Sequence, residues 1–149
     1  DFKLSTRNSF YALEWQAEVL WEPKTYSKVA FKTGRTTEET NGEGFFFDDQ
    51  FVGLADVIEG TLNSIEWKHE WQDRLSSKIT YAVYKDIYKS STGTVRIDHN
   101  TGISATLYYD MNYWLSFSLD YTFNERDSTR EFLIYDRQLA TLGVRIALF

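Results

Sequence analysis

Residues Tyr113 to Phe123 read YWLSFSLDYTF, and this stretch decides the fold because its side chains alternate in polarity. The odd positions hold Tyr, Leu, Phe, Leu, Tyr and Phe. The even positions between them hold Trp114 and then Ser, Ser, Asp and Thr. A period of two is that of a β-strand, whose successive side chains point to opposite faces. The apolar face must therefore contact either a protein core or a lipid bilayer.

The same alternation recurs along the chain and predicts seven antiparallel strands. The segments are 11–21, 28–32, 64–71, 78–84, 95–109, 113–124 and 140–148. Tight connections at 22–25, 72–75 and 110–112 alternate with longer or more polar ones at 37–60, 89–93 and 124–130. Short turns on one side and long loops on the other indicate an up-and-down sheet. A Greek-key sandwich would not sort its loops in this way.

Composition excludes several classes of protein. The 149 residues carry a net charge of −6, so a basic footprint for nucleic acid is missing. With no cysteine, the chain has no disulfide scaffold and no thiolate metal site, and we expect neither cofactor nor metal. No run of about 18 apolar residues could form a transmembrane helix, but the mean hydropathy of −0.44 is compatible with alternating strands. We expect one domain over 1–149, with a long extracellular loop at 37–60.

Aromatic residues cluster at the tight-turn ends of the predicted strands, where a membrane-interface girdle belongs. These are Trp21, Tyr26, Trp71, Tyr109, Tyr113 and Trp114. In a lipocalin-like soluble barrel the charged face would lie outside, so the girdle favours the inverse arrangement. The sequence thus predicts an all-β, antiparallel, up-and-down transmembrane β-barrel.

The last strand supports this interpretation, because it runs apolar to the final residue. It resembles the terminal signal by which bacterial outer-membrane barrels are recognised for assembly: a polar residue, a glycine two later, then hydrophobic residues three and five beyond. Thr141, Gly143, Ile146 and Leu148 fit the pattern, and Phe149 lies one residue past it.

In such a barrel the polar side chains of each strand face the lumen. The charged and aromatic residues expected to line a pore are Glu14, Glu18, Lys28, Lys32, Glu66, Lys68, Arg96, Asp98, Tyr108, Asp120 and Arg145. Acids and bases are nearly balanced, and a strongly ion-selective pore would show one sign of charge. The same residues would also suit a small barrel filled by an ion-pair network.

Six short motifs follow one another in a characteristic order. They are Trp21-Glu22-Pro23, Gly34-Arg35-Thr36-Thr37-Glu38-Glu39, His69-Glu70-Trp71-Gln72-Asp73-Arg74-Leu75, Arg96-Ile97-Asp98, Asn112-Tyr113-Trp114-Leu115 and Tyr135-Asp136-Arg137. Over nearly its whole length the chain resembles the C-terminal part of the putative β-barrel porin 2 family. The resemblance implies the outer membrane of a Gram-negative bacterium, export of capsule or exopolysaccharide, and periplasmic export components as partners.

Seven strands are an odd number, whereas bacterial single-chain barrels use even numbers. Either residues 2–7 supply an eighth strand, or further strands of the same or another chain complete the barrel. Because the chain begins at Asp1, we expect a processed form or a piece of something longer, and we favour the second arrangement.

Catalytic chemistry is not expected. His69 and His99 are too few for a metal centre, and no spacing supports a hydrolase built from His99 with Ser90 or Ser91.

Within the long loop, Phe51, Leu54, Ala55 and Ile58 follow helical spacing. The alternatives for this loop are a surface cap, a plug over the barrel mouth, or calcium held by Glu43, Asp48 and Asp49.

Three functions remain open on the sequence. The first is a passive conduit or exit port for an exported polysaccharide. The second is a closed eight-stranded barrel with a packed interior and a structural or adhesive role. The third is a soluble ligand-binding barrel.

Overall fold

Seven long strands form one sheet in the computed structural model, which describes residues 13–39, 46–47, 50–51, 57–90 and 93–147. In chain order the strands are β1 (Trp15–Lys24), β2 (Ser27–Glu39), β3 (Phe46–Phe47), β4 (Gln50–Phe51), β5 (Val57–Gln72), β6 (Leu75–Ser90), β7 (Gly93–Asn112), β8 (Leu115–Ser128) and β9 (Tyr135–Ile146). Among the residues that the structure describes, β3 and β4 pair with each other and not with the large sheet, and a 3-10 turn spans Glu131–Leu133. Every pairing is antiparallel between neighbours in the order β1-β2-β5-β6-β7-β8-β9. This confirms the predicted all-β, up-and-down fold.

The sheet is open. Within the described residues β1 pairs only with β2, and β9 pairs only with β8. Both edges therefore present backbone N–H and C=O groups that water or another strand must satisfy. An open edge is not viable in hydrocarbon, so the sheet is consistent with part of a larger barrel. Residues 2–7, the alternative eighth strand, lie outside the described residues.

The strands run further than the alternation predicted. β7 has 20 residues, about twice the 9–11 that cross a bilayer. The connection expected at 37–60 is shorter, because β2 continues to Glu39 and β5 begins at Val57. Likewise β6 and β7 extend to Ser90 and Gly93, and β8 extends to Ser128. The long-loop side of the sheet thus consists largely of paired strand.

The helical spacing around Phe51 was misleading. Phe51 lies in β4 and Ile58 lies in β5, while Leu54 and Ala55 fall outside the described residues. Short apolar runs do not separate helix from strand by periodicity. Pairing with β2, which reaches from Ser27↔His69 to Glu39↔Val57, determines the extended conformation of Ile58.

In the described part of the chain, neither face of the sheet carries a packed protein core. Among the described apolar residues only Ala30, Val57 and Ala82 are buried, and large side chains such as Leu142 remain 72% exposed. No helix in the described part of the chain is both long and apolar enough to cross a membrane.

Candidate pore wall

The strand register sorts the side chains onto two faces. Val29, Trp67 and Ile79 are Cα partners across β2, β5 and β6, and their neighbours Lys28, Lys68 and Lys78 are partners on the opposite side. We call these the apolar face and the polar face. The apolar face carries a continuous band, which we call the apolar band. It comprises Val19, Trp21, Val29, Phe31, Ile65, Trp67, Ile79, Tyr81, Ile103, Leu107, Leu119, Tyr121, Leu142 and Val144.

The residues predicted to line a pore share one face. The register places Glu18, Lys28, Lys32, Glu66, Lys68, Arg96, Asp98, Tyr108, Asp120 and Arg145 on the polar face. Glu14 lies just before β1, and its Oε1 accepts a hydrogen bond of 2.9 Å from the backbone N–H of Thr37. The expected set is therefore brought together, with Glu14 at its margin.

Charges on the polar face are paired locally. Lys32 Nζ lies 3.4 Å from Glu18 Oε1, and Lys28 Nζ lies 3.1 Å from Glu22 Oε1. Glu66 contacts Lys68 at 3.1 Å and Lys78 at 4.0 Å. Glu18, Glu22 and Glu66 thus each have a lysine beside them, so acids and bases are interspersed on this part of the polar face and no field of one sign forms there.

A hydrogen-bonded chain crosses three strands of the polar face. Arg126 Nε donates to Asn100 Oδ1 at 2.7 Å, and Asn100 Nδ2 donates to Asp86 Oδ2 at 3.2 Å. Burial, and next the charge of Asp98, raise the pKa of Asp86 above its usual range. Alternation alone gave no reason to select Asp86, because it lies beyond the predicted end of its strand at Tyr84.

Asp98 is fully buried beside this chain. Ser128 Oγ donates to Asp98 Oδ1 at 2.6 Å, and Arg96 Nε lies 3.2 Å from the same oxygen. The Arg96 guanidinium also stacks over the Tyr88 ring, 3.6 Å from its centroid. Side-chain contacts thus join β6, β7 and β8 where these strands extend beyond the apolar band.

Polar pairs bound the apolar band on the long-strand side. Thr33 Oγ1 donates to Asn63 Oδ1 at 2.8 Å, directly beyond the Phe31–Ile65 pair. Further along, Glu59 accepts hydrogen bonds from Arg35 Nη2 at 2.7 Å and Lys89 Nζ at 2.6 Å. The Lys89 hydrogen bond, followed by the charges of Lys89 and Arg35, lowers the pKa of Glu59 against the opposing effect of burial.

The predicted girdle residues lie at the tight-turn end. Trp21, Tyr26, Trp71, Tyr109, Tyr113 and Trp114 are all exposed there. On the apolar face, His69 lies 5.5, 5.3 and 4.3 Å from the ring centroids of Tyr26, Trp67 and Trp71. The Trp71 indole N–H donates to Ser77 Oγ at 3.0 Å. Exposed aromatic rings with a polar tip, such as the hydrogen-bonded indole of Trp71, suit a membrane interface.

His99 and Ser90, the described residues of the hydrolase alternative, do not lie together in the sheet. His99 pairs with Lys85 on the apolar face, whereas Ser90 pairs with Gly93 at the end of β6 on the polar parity. Ser91 and the calcium candidates Glu43, Asp48 and Asp49 lie outside the described residues. Within the described ranges no group of three His, Cys, Asp or Glu side chains could hold a metal ion.

The packing of the terminal strand gives a reason for the glycine of the predicted assembly signal. Gly143 on β9 is the Cα partner of Ser118 on β8, and a Cβ added there would collide with Ser118 Oγ. Thr141 and Ile146 also lie in β9, whereas Leu148 and Phe149 fall outside the described residues. Glycine at this position therefore has a steric reason of its own.

One comparison with known proteins gives a result. A family model described as putative beta-barrel porin 2 matches residues 4–148, nearly the whole chain. No curated protein and no solved structure matches the chain significantly.

Proposed function

The chain belongs to the putative β-barrel porin 2 family, and on that premise we propose that it forms part of the wall of an outer-membrane pore that passively conducts an exported polysaccharide. Membership confirms the resemblance drawn from the six motifs. A porin family implies the outer membrane and a role that is not enzymatic.

The separation of the two faces is the observation that carries the proposal. Leu119, for example, is 53% exposed on the apolar face, while its neighbour Asp120 lies among polar side chains on the other. Burial of such apolar area stabilises a protein by about 25 cal/mol per Å², and no protein core in the described residues supplies that burial. Acyl chains would supply it, which turns the polar face toward a water-filled interior.

The polar face suits an uncharged or mixed-charge polymer. Its ion pairs leave no field of one sign, and its hydroxyl, amide and tyrosine groups provide hydrogen-bond partners for a hydrated chain. These features and the family resemblance together support a polysaccharide as the cargo. In this account periplasmic export components supply the driving force.

Completion of the pore requires further strands. β1 and β9 are free edges within the described residues, and closure removes edges in all known spanning barrels. We therefore infer that strands from the same or another chain pair with both edges.

Conductance in planar bilayers tests the proposal. The complete protein should give stepwise currents of weak ion selectivity, and a polysaccharide added on the tight-turn side should reduce them reversibly. A protein that inserts but gives no current would contradict it. That result would favour a closed barrel with a packed, ion-paired interior and a structural or adhesive role.

A further inference from the structure

A recess opens in the polar face where two glycines lie on neighbouring strands. Gly34 on β2 and Gly60 on β5 contribute no side chain, and the cavity above them measures about 230 Å³. A Cβ at Gly60 would lie 3.0 Å from Thr36 Oγ1 and 3.4 Å from Asp86 Oδ1. A side chain at position 60 would therefore project into the recess between Thr36 and Asp86.

Tyr84 on β6 forms one wall of the recess. It is the Cα partner of Leu62 on β5. The tyrosine is 43% exposed, so its ring is available to a ligand. An aromatic ring offers a flat, amphipathic surface on which an apolar C–H face can pack.

Asp86 forms the second wall and is held in one orientation. Its Oδ2 accepts the hydrogen bond from Asn100, which Arg126 holds in turn. Its Oδ1 points toward Gly60, and no hydrogen bond to it occurs within the described residues. A carboxylate fixed through one oxygen presents the other, already oriented, to a donor in the recess.

The one basic side chain of the recess, among the described residues that line it, is paired with an acid. Lys32, which also lines it, forms an ion pair with Glu18 at 3.4 Å. Gln16 and Thr36 add uncharged polar groups. A few placed hydrogen-bonding groups beside an apolar surface favour a ligand with both hydroxyl groups and an apolar face.

We propose that this recess binds one uncharged pyranose unit, which packs on the Tyr84 ring and donates a hydroxyl hydrogen bond to Asp86 Oδ1. The inference rests on the proposed function and deepens it, because the recess would act as a stepping site on the inner wall of the pore.

Binding of maltohexaose and cellohexaose to the detergent-solubilised complete protein, measured by isothermal titration calorimetry, tests the recess independently of conductance. Tyr84→Ala and Gly60→Val should each weaken binding roughly tenfold. Tyr81→Ala is the matched control, since Tyr81 is also 43% exposed on β6 but lies on the apolar face. Heat-modified mobility in gels confirms that each variant folds.

Two outcomes would overturn the inference. One is that neither oligosaccharide binds the folded wild-type protein, and the other is that Tyr81→Ala weakens binding as much as Tyr84→Ala. Conductance without oligosaccharide binding would refute the sugar site in the recess but not the proposed pore. Oligosaccharide binding that depends on Tyr84, without any conductance, would refute the proposed pore but not the sugar site.

Discussion

Lys89 Nζ on β6 donates a hydrogen bond of 2.6 Å to Glu59 Oε1 on β5, on the same face as the apolar band but beyond its end. Arg35 on β2 holds the other carboxylate oxygen at 2.7 Å, so one acid ties three strands together. Such a charge network belongs in water or among headgroups, because charge within hydrocarbon is costly. The Glu59 network therefore marks where the paired strands leave the apolar layer.

Glu59→Gln should lower the stability of the folded protein by about 1 kcal/mol at neutral pH, because it removes the charge from both ion pairs. The pKa of Glu59 is lowered in the folded state, so its stabilisation is present above the ordinary carboxyl pKa and is lost as pH falls through the lowered value. Thermal midpoints in detergent should thus differ between wild type and variant near neutrality and converge in acid.

Glu125→Gln is the matched control for this variant. Glu125 is exposed on the same face, and no ion pair to it occurs within the described residues. A midpoint difference for Glu59→Gln that stays constant from neutral to acid pH would contradict the role of its charge.

Asp86→Asn should change the stability in the opposite direction, raising the thermal midpoint near neutral pH. Because the pKa of Asp86 is raised, its ionisation weakens the folded state as pH rises through the window just above the ordinary aspartate value. The variant should melt higher than wild type near neutrality, and the two should converge in acid, where Asp86 is protonated. Asp136→Asn, at an exposed position, serves as the control, and a variant that melts lower than wild type near neutrality would exclude the expected effect.

Gly143→Ala should destabilise the protein by about 1 kcal/mol through a single neighbour. The new methyl group would force Ser118 Oγ to rotate away and to lose its 3.2 Å hydrogen bond to Asp120 Oδ2. Gly143→Ala combined with Ser118→Ala should therefore melt close to Ser118→Ala alone, since the Ser118 Cβ lies at an ordinary 3.7 Å. Additive losses would show that Gly143 acts through something other than Ser118.

Arginine placed on the two faces of β9 should have unequal effects. Leu142→Arg puts a charge on the apolar face and should cost about 2–4 kcal/mol of folding into vesicles. Thr141→Arg lies on the polar face opposite Asp120 and should cost far less. Equal costs, measured by urea titration in lipid vesicles, would argue against a lipid-facing Leu142.

The period of two was enough to predict the strands and their faces, because that pattern is local. It placed Asn100 on the polar face but left Arg126 in the connection at 124–130, and only the register makes these two residues neighbours, since they are 26 residues apart in sequence. The same limit hid the recess. Gly34 and Gly60 meet through the β2–β5 pairing, which no local pattern encodes.

Strand ends were predicted less well, for a related reason. From Lys85 to Ser90 the chain reads KDIYKS, where charged and apolar residues no longer alternate cleanly, yet backbone pairing to β5 and β7 continues through it. Beyond the apolar band, hydrogen bonds between strands determine the conformation and both faces tolerate polar side chains.

The most direct test of the account is which solvent each face meets. These 149 residues contain no cysteine, so single cysteines introduced at the neighbouring positions Leu119 and Asp120 would be the only thiols in this part of the barrel. In the complete protein reconstituted into vesicles, nitroxide lipids should quench a fluorophore at position 119 and leave one at 120 bright, while a charged aqueous thiol reagent should modify only Asp120→Cys. Quenching at 120 with aqueous modification at 119 would contradict the account.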